Sequence, residues 1–144
     1  MSNADIDDLG YSLKLAQLSV KNAMEERLRP LGLTLSQYAV LLQLSAKAEQ
    51  TNAALARKAF ITAQSMQGIL SNLEISGLIE RKPDQDHGRR QPATLTAEGK
   101  LMLNRARKVT REVETKLLEA VAPLSSIEAL ALFRRVHNSL SNFP

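Results

Sequence analysis

The segment Ile61–Lys82, ITAQSMQGILSNLEISGLIERK, decides the fold. Met66, Ile69, Leu70 and Leu73 recur at i, i+3, i+4 and i+7, the spacing that gathers apolar side chains on one face of an α-helix. This pattern predicts a helix from about Ala63 to Ser76. Gly77 is the natural residue to end it, because a glycine at the C′ position adopts the left-handed conformation without a Cβ penalty. The period then changes, and Leu78-Ile79-Glu80-Arg81-Lys82 reads as a short strand.

Upstream, Thr51-Asn52 is placed to cap a short helix, Ala53 to Lys58, which carries Leu55 and Ala56. A turn at Phe60-Ile61-Thr62 joins it to the longer helix. Downstream, the polar loop Pro83-Asp84-Gln85-Asp86-His87-Gly88-Arg89-Arg90-Gln91 separates the first strand from its expected partner, Pro92-Ala93-Thr94-Leu95-Thr96. Helix, short helix, tight turn, helix and hairpin in that order form the plan of a winged helix-turn-helix. In that plan the second helix of the pair can lie in a major groove about 12 Å wide, with the hairpin against the backbone or minor groove.

Helical periodicity flanks this unit on both sides. Ile6, Leu9, Leu13, Ala16, Val20, Met24 and Leu28 predict a helix from about Ile6 to Arg29, with Asp7 and Asp8 near its positive end. Pro30 and Gly32 stop it. So long a one-sided stripe must be covered by the rest of the chain or by a second chain. Leu33-Thr34-Leu35-Ser36 opens the next helix, with Ser36 expected as its N-cap. Tyr38, Val40, Leu41, Leu42 and Leu44 surround that helix with apolar side chains, so it should be central. After the hairpin, Thr96 is expected to cap a helix reaching about Ala122, with Met102, Ala106, Val109, Val113, Leu117 and Ala120 on one face. Pro123 ends it, and Ser125 or Ser126 starts a last helix through Ile127, Leu130, Phe133, Val136 and Leu140. The fold class is mainly α with a small β-wing: a winged helix-turn-helix plus a helical region.

Composition narrows the function. A chain of 144 residues that is 44% hydrophobic but 3% aromatic, without Trp, must build an aliphatic core, which favours helices. Nineteen Lys and Arg against 15 Asp and Glu leave a net charge of +4, compatible with a nucleic-acid partner. The absence of Cys excludes disulfides, thiolate metal sites, a cysteine nucleophile and a thiol redox sensor. His87 and His137 are the only histidines, too few for a zinc centre of three or four ligands. The start, Met1 to Asp8, is polar and acidic, and no apolar run approaches the ~18 residues of a membrane span. A cytoplasmic protein away from membranes is expected. With no glycine-rich phosphate loop, nucleophile motif or metal-ligand cluster, neither an enzyme nor a cofactor is expected.

Beside its apolar stripe, the helix at 63–76 carries Thr62, Gln64, Ser65, Gln67, Ser71 and Asn72, with Glu74 its one acid. Amides can pair bidentately with adenine, and hydroxyls serve phosphates or several base edges. The plainer alternative is an ordinary solvated face. A second alternative is a winged-helix protein-interaction module without specific DNA binding, which should turn an acidic or apolar face outward. A polar face followed directly by a basic loop favours double-stranded DNA. RNA is disfavoured because exposed strands offer no stacking aromatics.

From Leu33 to Gly99 the chain resembles the MarR (multiple antibiotic resistance regulator) family. The resemblance is carried by Leu33-Thr34-Leu35-Ser36-Gln37-Tyr38, by Leu55-Ala56, and by Leu73-Glu74-Ile75-Ser76-Gly77-Leu78-Ile79-Glu80-Arg81. Asp84, Asp86, Arg89 and Arg90 in the wing and Leu95-Thr96-Ala97-Glu98-Gly99 after it complete the match. The resemblance implies an obligate homodimer that interleaves the first, fifth and sixth helices. Residues 1–34 would then be a dimerisation helix, 35–96 the DNA-binding region and 97–144 the C-terminal dimerisation helices. It also implies a transcription regulator, more often a repressor, acting on an inverted repeat with half-sites about one helical turn apart. By the same match Arg89 or Arg90 reaches into the minor groove from the wing tip. A small aromatic or carboxylated effector is implied at the junction of reading heads and dimer body. Tyr11, Leu15, Met24, Tyr38 and Phe60 are candidates to line its pocket, although such residues on inner faces are usually core. Two features depart from the family pattern. Gly68 stands where relatives often carry a basic residue, so base preference should lean on Gln64 and Gln67. In the wing, Asp86-His87-Gly88-Arg89-Arg90 interposes two residues in the usual acidic-Arg-Arg turn.

Overall fold

The computed structural model describes residues 8–59, 61–82 and 91–144. Expectations for Ile6, Asp7, Phe60 and the wing-tip residues Arg89 and Arg90 lie outside them. The elements are α1 (Leu9–Leu28), α2 (Leu35–Ala46), α3 (Asn52–Ala59), α4 (Ala63–Ile75), β1 (Ile79–Arg81), β2 (Ala93–Leu95), α5 (Ala97–Ala120) and α6 (Ser126–Ser141). They form two units, one ending at Thr110 within α5 and the other running from Arg111 to Pro144.

Side-chain caps set most helix starts, and three of them correct the sequence reading. Asp8 is extended, and its carboxylate accepts from the Gly10 and Tyr11 amides, so α1 begins at Leu9 rather than Ile6. Thr34, not Ser36, caps α2: its hydroxyl accepts from the Gln37 amide while the Gln37 side chain accepts from the Thr34 amide. This reciprocal capping box satisfies two donors that helix geometry leaves unpaired. Thr51 accepts from the Ala54 amide, whereas Asn52 is the first residue of α3 and reaches across to the Ala63 carbonyl at 3.0 Å. Ser125 and Glu128 form a second capping box at α6. α5 ends at Ala120, earlier than the expected Ala122.

The core of the first unit is aliphatic, as the composition requires. Leu28, Leu41, Leu55, Met66, Leu70, Leu73 and Ile79 are fully buried, each contributing about 1.5–3 kcal/mol by leaving water. α2 is central and buries Tyr38, Val40, Leu41 and Leu44. Two polar side chains in this core are satisfied internally. Thr110 donates to the Ala106 carbonyl at 2.9 Å and lies 3.4 Å from the Tyr38 hydroxyl. Gln50 donates to the carbonyls of Gln43 and Lys47 and accepts from the Lys58 ammonium. The Gln50 carbonyl also accepts from the Ala93 amide at 2.8 Å, a one-residue bridge between the α2–α3 connection and β2.

β1 and β2 pair antiparallel with Ile79 opposite Leu95, Glu80 opposite Thr94 and Arg81 opposite Ala93. At their base the chain is crowded. Gly77 takes φ +76° and ends α4 as expected. Thr96 donates its hydroxyl to the Gly77 carbonyl at 2.6 Å and its amide to Leu78 at 3.1 Å. The same hydroxyl accepts from the Gly99 amide and so caps α5. A Cβ at Gly99 would lie 2.0 Å from the Leu78 carbonyl oxygen.

In the second unit Val113 and Ala129 are buried, while Leu118, Leu124, Ile127, Leu130, Phe133, Leu140 and Phe143 are exposed. Among the described residues no helix is long and apolar enough to cross a membrane.

The Gly99 contact yields a first prediction. Gly99→Ala is expected to cost about 3 kcal/mol or more, because a Cβ there overpacks against backbone that cannot rotate away. Gly10→Ala, whose Cβ would meet only Asp8 Oδ1 at 3.5 Å, should be nearly neutral. Equal denaturation midpoints for the two variants would refute the packing argument.

Candidate nucleic-acid interface

α4 is held at both ends and along one side. Thr62 caps its start, accepting from the Ser65 amide at 3.0 Å and donating to the Ser65 hydroxyl at 3.0 Å. Asn52 ties the first turn to α3 through the Ala63 carbonyl. Met66, Leu70 and Leu73 are buried on the inner face. The helical period then turns residues 64, 67, 68 and 71 outward, where Gln64, Gln67 and Gly68 are exposed and Ser71 is half-buried. Thr62 and Ser65, also exposed, share the N-terminal turn. The helix candidates therefore form one continuous strip. The wing candidates, Arg89 and Arg90, lie outside the described residues.

Sequence reasoning gave Arg81 no role on this face. From β1 its guanidinium donates to Gln67 Oε1 at 2.9 Å, to Glu74 Oε1 at 3.1 Å and to the Ser71 hydroxyl at 3.4 Å. Its side chain is only 9% exposed, against 42% for Glu74. The signal was available in strand alternation: Arg81 lies two residues from the buried Ile79 and shares its face of the strand. Glu74, the one acid of α4, is thereby paired, so it does not present an uncompensated negative charge on this face.

A cavity of about 460 Å³ opens beside the strip, lined by Thr51, Asn52, Arg57, Gln67, Arg81 and Gln91 among others. Two of its polar atoms, Asn52 Oδ1 and Arg81 Nε, are buried without a hydrogen-bond partner among the described residues. Of the expected effector-pocket residues, the described ones, Tyr11, Leu15, Met24 and Tyr38, do not line this cavity. Met24 and Tyr38 are buried, whereas Tyr11 and Leu15 are exposed on α1. Among the described residues no group of three or more His, Asp or Glu side chains could hold a metal.

A tightly packed helix pair that turns one polar face outward, followed at once by a two-stranded hairpin, is a winged helix-turn-helix. Residues 31–90 match the profile of the MarR family. Over 118 residues, 82% of this chain and 85% of the relative, the sequence is 37% identical to the HTH-type transcriptional repressor Rv2887 of Mycobacterium tuberculosis. The chain belongs to the MarR family of transcriptional regulators. The crystal structure of that mycobacterial MarR family protein in complex with salicylic acid aligns with a TM-score of 0.67 at 34% identity, covering 94% of this chain and 98% of the other. A MarR family transcriptional regulator from Rhodococcus sp. shares the fold with a TM-score of 0.81 at 22% identity, covering 99% and 100%.

Gly68 sits mid-helix on the outward strip, and a Cβ there would meet nothing within 4 Å. Protein packing thus does not require glycine at this position. Gly68→Ala is expected to stabilise the fold by about 1 kcal/mol, the usual helix-interior difference. A denaturation midpoint that falls instead would show a constraint inside the protein at this site.

Proposed function

We propose that this protein is a transcriptional repressor that binds an inverted-repeat operator as a homodimer and is released by a small aromatic carboxylate. The observation that carries the DNA reading is the strip Gln64, Gln67, Gly68 and Ser71, exposed or half-exposed on a helix whose opposite face buries Met66, Leu70 and Leu73. Residues 35–96 form the reading head, with Thr62 and Ser65 beside the strip and Arg89 or Arg90 supplied by the wing. The segments 1–34 and 97–144 form the dimer body. Support for dimerisation comes from apolar exposure in the isolated chain: Leu9 is 88%, Ile127 79% and Phe143 73% exposed. Soluble monomers rarely leave extended apolar patches in water.

Support for an anionic effector comes from the polar cavity and from the mycobacterial relative, whose structures include complexes with salicylic acid and p-aminosalicylic acid. A carboxylate would give the buried Arg81 Nε an acceptor, with Arg57 as a second cation. Tyr11, Leu15, Met24, Tyr38 and Phe60 remain a second proposed site, at the junction of reading head and dimer body, that would take the aromatic ligand in place of the polar cavity. Any such ligand acts only through different affinity for the two states of the dimer.

Fluorescence anisotropy with a palindrome selected from a random pool tests the reading. Affinity should fall about a thousandfold between ~50 and ~200 mM salt as phosphate contacts release counterions, and random duplex should bind about a thousandfold more weakly. Salicylate should lower the affinity for the palindrome. No affinity at the lower salt would defeat the DNA reading and leave protein docking in its place. Separately, Leu130→Glu with Phe133→Glu should yield a helical monomer in sedimentation equilibrium that no longer selects the palindrome. A dimer of unchanged stability would remove α6 from the interface.

A further inference from the structure

We propose that Arg81 locks the Gln67 amide in one orientation, so that the centre of α4 presents hydrogen-bond donors, and not a donor–acceptor pair, to the major groove. The inference deepens the DNA-binding reading and rests on it. Arginine carries five N–H donors and no acceptor. The Gln67 atom 2.9 Å from Arg81 Nη1 must therefore be its oxygen, which settles a choice between oxygen and nitrogen that amide geometry alone leaves open. The guanidinium cannot swing away freely. Its side chain is 9% exposed and its other arm is held by Glu74 at 3.1 Å, with the Ser71 hydroxyl at 3.4 Å. The amide oxygen thus faces the strand, and the two N–H groups are the end left for a partner.

This orientation changes what Gln67 can read. Bidentate pairing with adenine needs both ends of the amide, the oxygen for N6–H and the nitrogen for N7. The oxygen keeps a second lone pair, but Arg81 turns that end of the amide toward β1, so the end offered outward is the two N–H groups and the complementary base edge is one of acceptors: guanine N7 and O6, or thymine O4. Gln64 lies one turn earlier, is exposed, and takes no part in the Arg81 cluster. It keeps both ends of its amide for an adenine. Arg81 is a positioning residue here: it acts through Gln67.

Sequencing of duplexes enriched from a random pool by the full-length protein tests this. Gln67→Ala locates the base pair that Gln67 reads, as the one position where preference collapses. At that position the wild type should favour guanine or thymine over adenine by about tenfold, within the range of one well-made base contact. Arg81→Met, which frees the amide to rotate, should admit adenine there while preferences elsewhere in each half-site stay unchanged. A merely structural Arg81 would instead weaken all positions together. Adenine as the wild-type choice at that position overturns the proposal, and so does an Arg81→Met profile identical to wild type. Should Arg81→Met fail to fold, Gln67→Glu decides. It keeps an acceptor toward Arg81 and removes the outward donors, so the guanine or thymine preference must disappear, and its persistence overturns the proposal. A wild-type chain that enriches no sequence fails earlier, at the DNA-binding reading itself, and this proposal falls with it.

Discussion

Four residues at the base of the hairpin fix where the end of α4 sits. The Gly77 carbonyl accepts the Thr96 hydroxyl, the Leu78 carbonyl accepts the Thr96 amide, and Gly99 packs against that same Leu78 carbonyl with no room for a Cβ. The end of α4, the start of β1, the end of β2 and the first turn of α5 therefore meet at one point. Hydrogen bonds set both separation and direction there, whereas apolar contacts tolerate sliding. α4 consequently cannot tilt without disturbing the first turn of α5. The start of α5 and the end of α4 are thereby tied to each other through Thr96 and Gly77.

The side-to-side position of α4 depends on a second set of polar contacts, at its other end and along its edge. Asn52 fixes the first turn against α3, and Arg81 spans from β1 to Gln67, Ser71 and Glu74. The Arg81–Glu74 pair is worth little as a free-energy term, since Glu74 is well exposed and water screens it. Its weight lies in geometry and charge. It cancels the one carboxylate on α4 and holds a planar donor fork beside two of the residues on the strip. Gln67 and Ser71 thereby lose rotamer freedom before any partner arrives, which lowers the entropic cost of binding.

The regular parts of the fold were legible in the sequence because they repeat. The inner stripe of α4, the change of period after Gly77 and the two strands follow from spacing alone, and MarR membership followed from residues 33–99. What escaped was either singular or ambiguous over a few residues. Thr34 and Ser36 both offer a cap hydroxyl, and only the partner three residues on, Gln37, distinguishes them. The Gln50–Ala93 bridge has no periodicity to announce it. Arg81 was visible as a polar residue sharing a strand face with Ile79, but its partners lie 7 to 14 residues back on a different element. Of the outer strip, Thr62, Gln64, Ser65, Gln67 and Gly68 are exposed and Ser71 is half-buried. Its sequence could not say that Thr62 and Ser65 already bond to each other or that Gln67 is already held.

That difference bears on where specificity resides. A strip of free polar side chains would adapt to many base edges, and its selectivity would come mostly from phosphates and DNA shape. Here the strip is uneven. Thr62 and Ser65 are tied into the cap, Gln67 and Ser71 are tied to Arg81, and Gly68 offers only backbone. Gln64 stands outside both clusters. A site with committed groups rejects a mismatched partner strongly, because the mismatch leaves those groups unpaired in a desolvated interface. On the proposed DNA reading, discrimination concentrates at the base facing Gln67, with adaptability at the base facing Gln64 and close backbone approach at Gly68, next to Gln67.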